Sequence, residues 1–188
     1  KAFSSSTTSP FIEYLTLWVI ADSGKETTQK KLFESFKELD DQKKYLKDSA
    51  KIKGLFDRLE VDSDLYIILR QKGKSKSLFN ESNVTNSKTR NQLNEIIVRL
   101  NLFLGPRAVQ HIPILLASFN RLKNKNEVRK LSIPEKNATV FANICELMLT
   151  LMGRFQMANI EAKTLRPRLM TILRELIRTN INKDNIYK

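Results

Sequence analysis

Apolar residues recur at helical spacing along almost the whole chain. Ser9-Pro10 combines a cap residue with proline at a first helical position, which is a start signal. Phe11, Tyr14, Leu15, Trp18 and Val19 then follow one helix face, and Gly24 closes the run. Thr27 or Thr28 can cap a second helix, with Leu32, Phe33, Phe36 and Leu39 on one face. A third helix is expected over residues 41–59, carrying Tyr45, Ile52, Leu55, Phe56 and Leu59, weakened or split at Gly54. Asp62-Ser63-Asp64 precedes a short apolar run at 65–69, where Tyr66, Ile67 and Ile68 leave strand and helix open.

The pattern breaks over residues 71–89. Lys alternates with Gly and Ser over 71–77, and 80–89 is polar and rich in Asn and Ser. A flexible linker is expected there, because long stretches without periodicity inside a chain are functional loops or boundaries. Helical order resumes at Thr89 with Leu93, Ile96, Ile97, Leu100, Phe103 and Leu104, and Gly105-Pro106 is a stop. Val109, Ile112, Leu115, Leu116, Phe119 and Leu122 continue it, with Pro113 imposing a kink or a restart. Asn137 can cap a helix carrying Val140, Phe141, Ile144, Cys145, Met148, Leu151 and Met152, which Gly153 would end. A last helix carries Leu165, Leu169, Ile172, Leu173, Leu176 and Ile177, and Pro167 opens or kinks it.

These elements predict an all-α protein of seven or eight helices, arranged as stacked helical hairpins. Its expected parts are an N-terminal helical segment (1–70), the linker (71–89), a basic helical segment (90–178) and a fraying tail (179–188). Residues 111–122 can also be laid on 141–152, thirty positions later, with apolar positions coinciding except at Glu146.

Composition narrows the class further. The chain has 188 residues, 41% of them hydrophobic, enough for a real core and too many for a disordered tail. One Cys excludes an intramolecular disulfide, and one Cys with one His excludes an all-Cys/His zinc site. No uninterrupted apolar run of about 18 residues occurs, so no transmembrane segment is expected.

The net charge is +13. Residues 1–94 hold 17 basic and 13 acidic residues, and residues 95–188 hold 16 and 7, so the excess is concentrated in the second half. A surface built only for solubility would mix both signs more evenly, so a polyanionic partner is expected. The cations of the second half are rich in Arg, whose planar fork engages phosphate bidentately. Residues 1–9 hold six hydroxyl residues, one cation and no acid, a bias shared with organellar transit segments; this predicts a mitochondrial setting.

Catalytic chemistry is not expected. His111 stands among apolar neighbours without a second ligand, and Cys145 lies on an apolar stripe. Pairing them as nucleophile and base would need a thiol whose acidity apolar burial suppresses. Gly73-Lys74-Ser75 resembles the end of a phosphate-binding P-loop, but Ile68 stands where that motif needs its first Gly. Asp62 and Asp64 read as a helix cap rather than as cation ligands. No metal, cofactor or small-molecule substrate is therefore expected.

The basic residues carry the functional expectation. Lys72, Lys74 and Lys76 alternate, so in an extended segment they would point the same way along a phosphate backbone. Arg174 and Arg178 lie four apart on the last helix, with Arg166 and Arg168 at its start and Arg154 after Gly153. Arg clustered beside helix ends is the footprint of phosphate contact.

The run from Phe141-Ala142-Asn143-Ile144 to Leu151-Met152-Gly153 resembles the first helix of an organellar RNA-binding helical repeat, the octotricopeptide and FAST-kinase-like RAP group. The likeness extends over roughly 110–177. Arg90 through Leu104, Ile112-Pro113, Phe141 and Arg166-Pro167-Arg168-Leu169 through Glu175-Leu176 are similar to the HEAT repeats of the tRNA-exporting karyopherins, exportin-T. Both resemblances imply stacked helical pairs that hold RNA.

The expected function is thus a structural RNA-binding protein of a mitochondrial ribonucleoprotein, a ribosome-associated subunit contacting rRNA phosphates beside neighbouring proteins. The alternatives are a protein–protein adaptor or accessory subunit of an organellar complex, and a fragment of a tRNA exporter.

Overall fold

A computed structural model of the chain describes residues 9–70, 79–80, 82–104, 109–124, 129–158 and 162–178. Among them are seven α-helices and no strand: α1 (Pro10–Ser23), α2 (Leu32–Lys43), α3 (Ser49–Arg70), α4 (Ser87–Leu104), α5 (Ile112–Leu122), α6 (Glu135–Met157) and α7 (Ala162–Arg178), with a 3₁₀ turn (Gln29–Lys31) leading into α2. The protein is all-α.

Local chemistry sets most of the helix ends. Pro10 opens α1, and Gly24 ends it at φ +68°, donating its N–H to the Ile20 carbonyl at 2.9 Å. A β-carbon at Gly24 would also stand 3.0 Å from Ile177 Cδ1, so α7 packs onto α1 where a side chain is missing. Asp48 Oδ1 accepts the Lys51 N–H at 2.8 Å to cap α3. Asn86 Oδ1 accepts the Thr89 N–H at 3.0 Å to cap α4.

The elements converge on α5. Every residue from 111 to 119 is buried, and α1, α3, α6 and α7 all pack against this helix. The most extensive pairing joins α4 to α6. Near their starts Asn86 Nδ2 donates to Glu135 Oε1 at 2.8 Å, and near their ends Leu102 and Met157 line the same trough, so the two helices run in the same direction. The main pairings (α4 with α6, α1 with α5, α5 with α7) join helices that are not sequence neighbours. The helical pairs thus wrap around one central helix rather than standing in single file.

One core cluster spans both halves of the chain. Phe79 and Val84 belong to it, although both lie in the stretch expected to be a linker. Phe79 packs against Phe119 and Phe141 with ring centroids 6.1 and 6.3 Å apart, and those two rings meet edge-on at 5.3 Å. Two apolar residues suffice to draw a polar stretch into a core, so no boundary divides the core at 79–89. Residues 71–78 lie outside the described residues.

Several element boundaries differ from the sequence expectation, each for a local reason. Phe33 does not share the buried face of α2; it is 81% exposed, because it lies about a quarter-turn from the line through Leu32, Phe36 and Leu39. Residues 41–59 do not form one helix: α2 ends at Lys43, Lys44 after it adopts φ 56°, and α3 begins at Ser49. Gly54 does not split α3, since nothing crowds that turn. Asp62-Ser63-Asp64 is mid-helix, and the ambiguous run 65–69 is the continuation of α3.

Pro113 sits at the second position of α5, a restart rather than a kink. Asn137 does not cap α6; the helix begins at Glu135 after Pro134, and Asn137 Nδ2 donates instead to the Leu122 carbonyl at 2.7 Å. Gly153 does not end α6, which continues to Met157 with Gly153 buried. In the thirty-residue correspondence between α5 and α6, Ile112, Leu115 and Leu122 and their counterparts Ala142, Cys145 and Met152 are all buried, while Glu146, the excepted position, is exposed. By length and a mean hydropathy of 1.2, α6 reaches what a membrane-crossing helix requires, but in this fold that apolar face packs on α4 and α5.

A buried polar network ties the N-terminal helices to α5. Asp62 is fully buried, and its Oδ2 accepts from Trp18 Nε1 and Asn120 Nδ2, both at 2.8 Å. Arg58 Nε stands 3.5 Å from that oxygen, and Lys123 Nζ 3.8 Å from Oδ1. The second carboxylate, Asp22, takes Arg58 Nη2 and the Tyr45 hydroxyl, both at 2.6 Å. The Arg58 guanidinium also lies over the Trp18 ring at 5.1 Å. Burial lowers the basicity of that guanidinium, but Asp22 and Asp62 beside it more than restore it.

Removing one partner of a buried ion pair leaves the others unpaired and costs about 3–5 kcal/mol. Asp62→Ala is expected to destabilise the fold by about that amount. Urea unfolding followed by the fluorescence of Trp18, the only Trp, measures it. A loss under about 1 kcal/mol, the scale of an exposed pair, would contradict a central role for this carboxylate.

Candidate nucleic-acid interface

The basic residues of α7 are set by its amphipathic turn. Leu165, Leu169, Met170 and Leu173 are buried toward α5, which leaves Pro167, Arg168, Thr171, Arg174, Glu175 and Arg178 outside. The helix carries five basic residues and one acid, so its outer face is positive. Arg174 and Arg178 lie on one line of that face, as their spacing of four requires, and Arg168 lies further round.

Each of these guanidinium groups is held differently. Arg168 lies 5.6 Å over the Phe155 ring. Arg174 Nε donates to the Gly24 carbonyl at 3.2 Å, covering the C-terminal end of α1, where a cation is favoured. Arg178 pairs with Glu175 at 3.6 Å, and Arg166 with Glu26 at 3.3 Å. The first pair is more than half exposed and the second nearly so, and solvent-exposed pairs of this kind are worth little, so phosphate can compete for them. Arg121 donates to the Ile177 carbonyl at the end of α7, and burial lowers its basicity.

The structure thus gathers Arg166, Arg168, Arg174 and Arg178 on one helix, facing several directions. Arg154 is separate from them, on the outside of α6 beside Arg99 of α4. Lys72, Lys74 and Lys76 lie outside the described residues.

The sequence does not predict Arg58 or Lys123 as functional residues, and it predicts Asp62 only as a helix cap, yet these charged residues form the buried network. A signal was present: Leu55, Arg58, Asp62, Leu65 and Leu69 recur at helical spacing, so Asp62 stands on an apolar stripe with a cation four residues before it.

Cys145 and His111 are both withdrawn from solvent in this fold. Cys145 is fully buried, and burial pushes its thiol far above the ordinary range. His111 is buried at the start of α5, where burial first and then the charge of Arg70 push its imidazole down to about 4. Among the described residues no group of three His, Cys, Asp or Glu could hold a metal ion. A cleft of about 600 Å³ between α1, α5 and α7 has an apolar floor of Leu17, Ile20, Pro113, Leu169 and Met170. The carboxylate lining it is Glu13, tied to Arg70 at 2.9 Å and to the Tyr66 hydroxyl at 2.7 Å.

No protein-family model, no curated protein and no solved structure matches this chain.

The buried histidine makes stability depend on pH with a definite sign. Folded His111 stays neutral down to about pH 4, whereas the unfolded chain takes up the proton near its ordinary 6.5. Stability is therefore unaffected above that value and falls as pH drops from 6.5 toward 4, by about 3 kcal/mol from this group. The difference in unfolding free energy between the wild type and His111→Gln is expected to change across that window and to be flat above it. A difference that is the same at pH 4 and pH 7 would place the imidazole in water.

Proposed function

We propose that this chain is a structural RNA-binding protein of a mitochondrial ribonucleoprotein, a ribosome-associated subunit that contacts rRNA phosphates. One observation carries the reading: α7 presents Arg168, Arg174 and Arg178 on its outer face with a single carboxylate, Glu175, among them. Arg on one helix face meets phosphates through planar, bidentate contacts. The excess of +13 supplies the long-range attraction such a protein uses to approach a polyanion. The role is that of a scaffold, because the buried thiol and imidazole offer no reactive group. The mitochondrial setting rests on the hydroxyl-rich, acid-free composition of residues 1–9.

Binding of a structured RNA hairpin, titrated over a range of salt concentrations, tests the proposal. Each phosphate contact contributes about 0.9 to the slope of log affinity against log salt on a duplex. The triple variant Arg168→Gln, Arg174→Gln, Arg178→Gln is expected to bind more weakly and to lose about 2–3 from that slope, with its helical circular dichroism unchanged. An affinity indifferent to salt, or a triple variant that binds as the wild type does, would overturn it.

A further inference from the structure

The seam between α4 and α6 is open along its outer side. Toward the C-terminal ends of the two helices it forms a shallow trough of about 640 Å³. Leu149 and Gly153 lie in it, and the missing side chain at Gly153 deepens it. Leu102 and Met157 stand on its walls, 68% and 78% exposed. Leu147, 55% exposed, lies seven residues before Arg154 and so extends the apolar strip one face along α6. Exposed large apolar residues gathered in one place on a soluble surface mark a binding site rather than scatter.

Charge defines the rest of the seam. Arg99 stands on the α4 wall and Arg154 on the α6 wall. Arg154 makes no ion pair among the described residues, and Arg99 pairs only with the equally exposed Glu95. Both guanidiniums are outside the core, in which α4 buries Leu93, Ile97 and Leu100 and α6 buries Phe141, Cys145 and Met148.

We propose that this seam docks an amphipathic helix from an acidic protein partner, with its apolar stripe in the trough and its carboxylates on Arg99 and Arg154. Two helices running the same way leave a groove into which the ridge of a third helix fits. A second copy of this chain is disfavoured, because it would bring two molecules of +13 together with like guanidiniums facing each other. A bilayer takes protruding apolar side chains rather than a trough, and RNA phosphates gain nothing from an apolar floor. The proposal uses α4 and α6 alone and does not depend on RNA binding at α7.

The probe is a fluorescein-labelled synthetic helical peptide with Leu at helical spacing and Glu on both flanks, compared with the same peptide carrying Lys for Glu. The full chain is expected to bind the acidic peptide saturably and the basic one far more weakly. Leu102→Ser with Met157→Ser should reduce acidic-peptide affinity by about tenfold or more. Arg99→Glu with Arg154→Glu should reverse the preference between the two peptides. All four positions are exposed, so circular dichroism and the urea midpoint should stay at wild-type values. RNA affinity should also survive the Leu102 and Met157 changes, which separates this site from α7. No saturable binding, equal binding of the two peptides, or indifference to these substitutions would overturn the proposal. So would dimerisation, or binding to anionic phosphatidylserine vesicles, that is lost in the same variants while peptide binding is not.

Discussion

A carboxylate without access to water must be satisfied where it stands, and at Asp62 that requirement fixes the relation of three helices. Its hydrogen-bond donors come from α1 (Trp18) and from the end of α5 (Asn120), and Arg58 of its own helix and Lys123 after α5 add charge at ion-pair distance. None of these can shift by a turn without leaving the charge unpaired in a low-dielectric interior, where the penalty is several kcal/mol per ion. Apolar packing alone is more tolerant, since helices of Leu and Ile slide in register at modest cost. Arg58 extends the constraint to Asp22 and Tyr45, so the end of α1 and the turn after α2 are placed by the same network. The whole N-terminal half is thereby hung on α5.

The placement of α5 explains why the chain folds as one body. This short helix buries every residue from Ile112 to Phe119, Pro113 and Ser118 included, and only Asn120 and Arg121 near its end are partly exposed. A helix that is apolar all round must be surrounded. It is covered by α1 and α3 from before the polar stretch and by α6 and α7 from after it. The aromatic triad of Phe79, Phe119 and Phe141 closes the same gap from the side of α4.

Helix existence was legible in the sequence and helix registry was not. The Ser9-Pro10 start, the Gly24 stop and the stripes of α4, α6 and α7 follow from local rules that need no tertiary context. What failed were the places where a local rule competed with packing. Gly153 satisfies the rule for a stop, but α6 continues past it because its last turn still packs through Phe155. Asp62-Ser63-Asp64 satisfies the rule for a cap, but the carboxylate is worth more at the centre of a network than at a helix end. The site shows the same division. That α7 is basic can be counted from residues 162–178, whereas the holding of Arg174 by Gly24, about 150 positions away, is a property of the fold alone.

The charge of this protein therefore divides into two populations with different tasks. Arg58 and Lys123 are enclosed, matched to Asp22 and Asp62, and contribute nothing to the field outside. The Arg residues of α7 have at most one exposed carboxylate each, and exposed pairs exchange with an external anion at little cost. Net charge counted over the sequence mixes these populations. The unmatched remainder lies on helices whose inner faces are already committed to α5 and to each other. Such packing fixes where each helix carries its guanidinium groups, and in the proposed RNA-binding role that placement would lower the entropy cost of meeting phosphates.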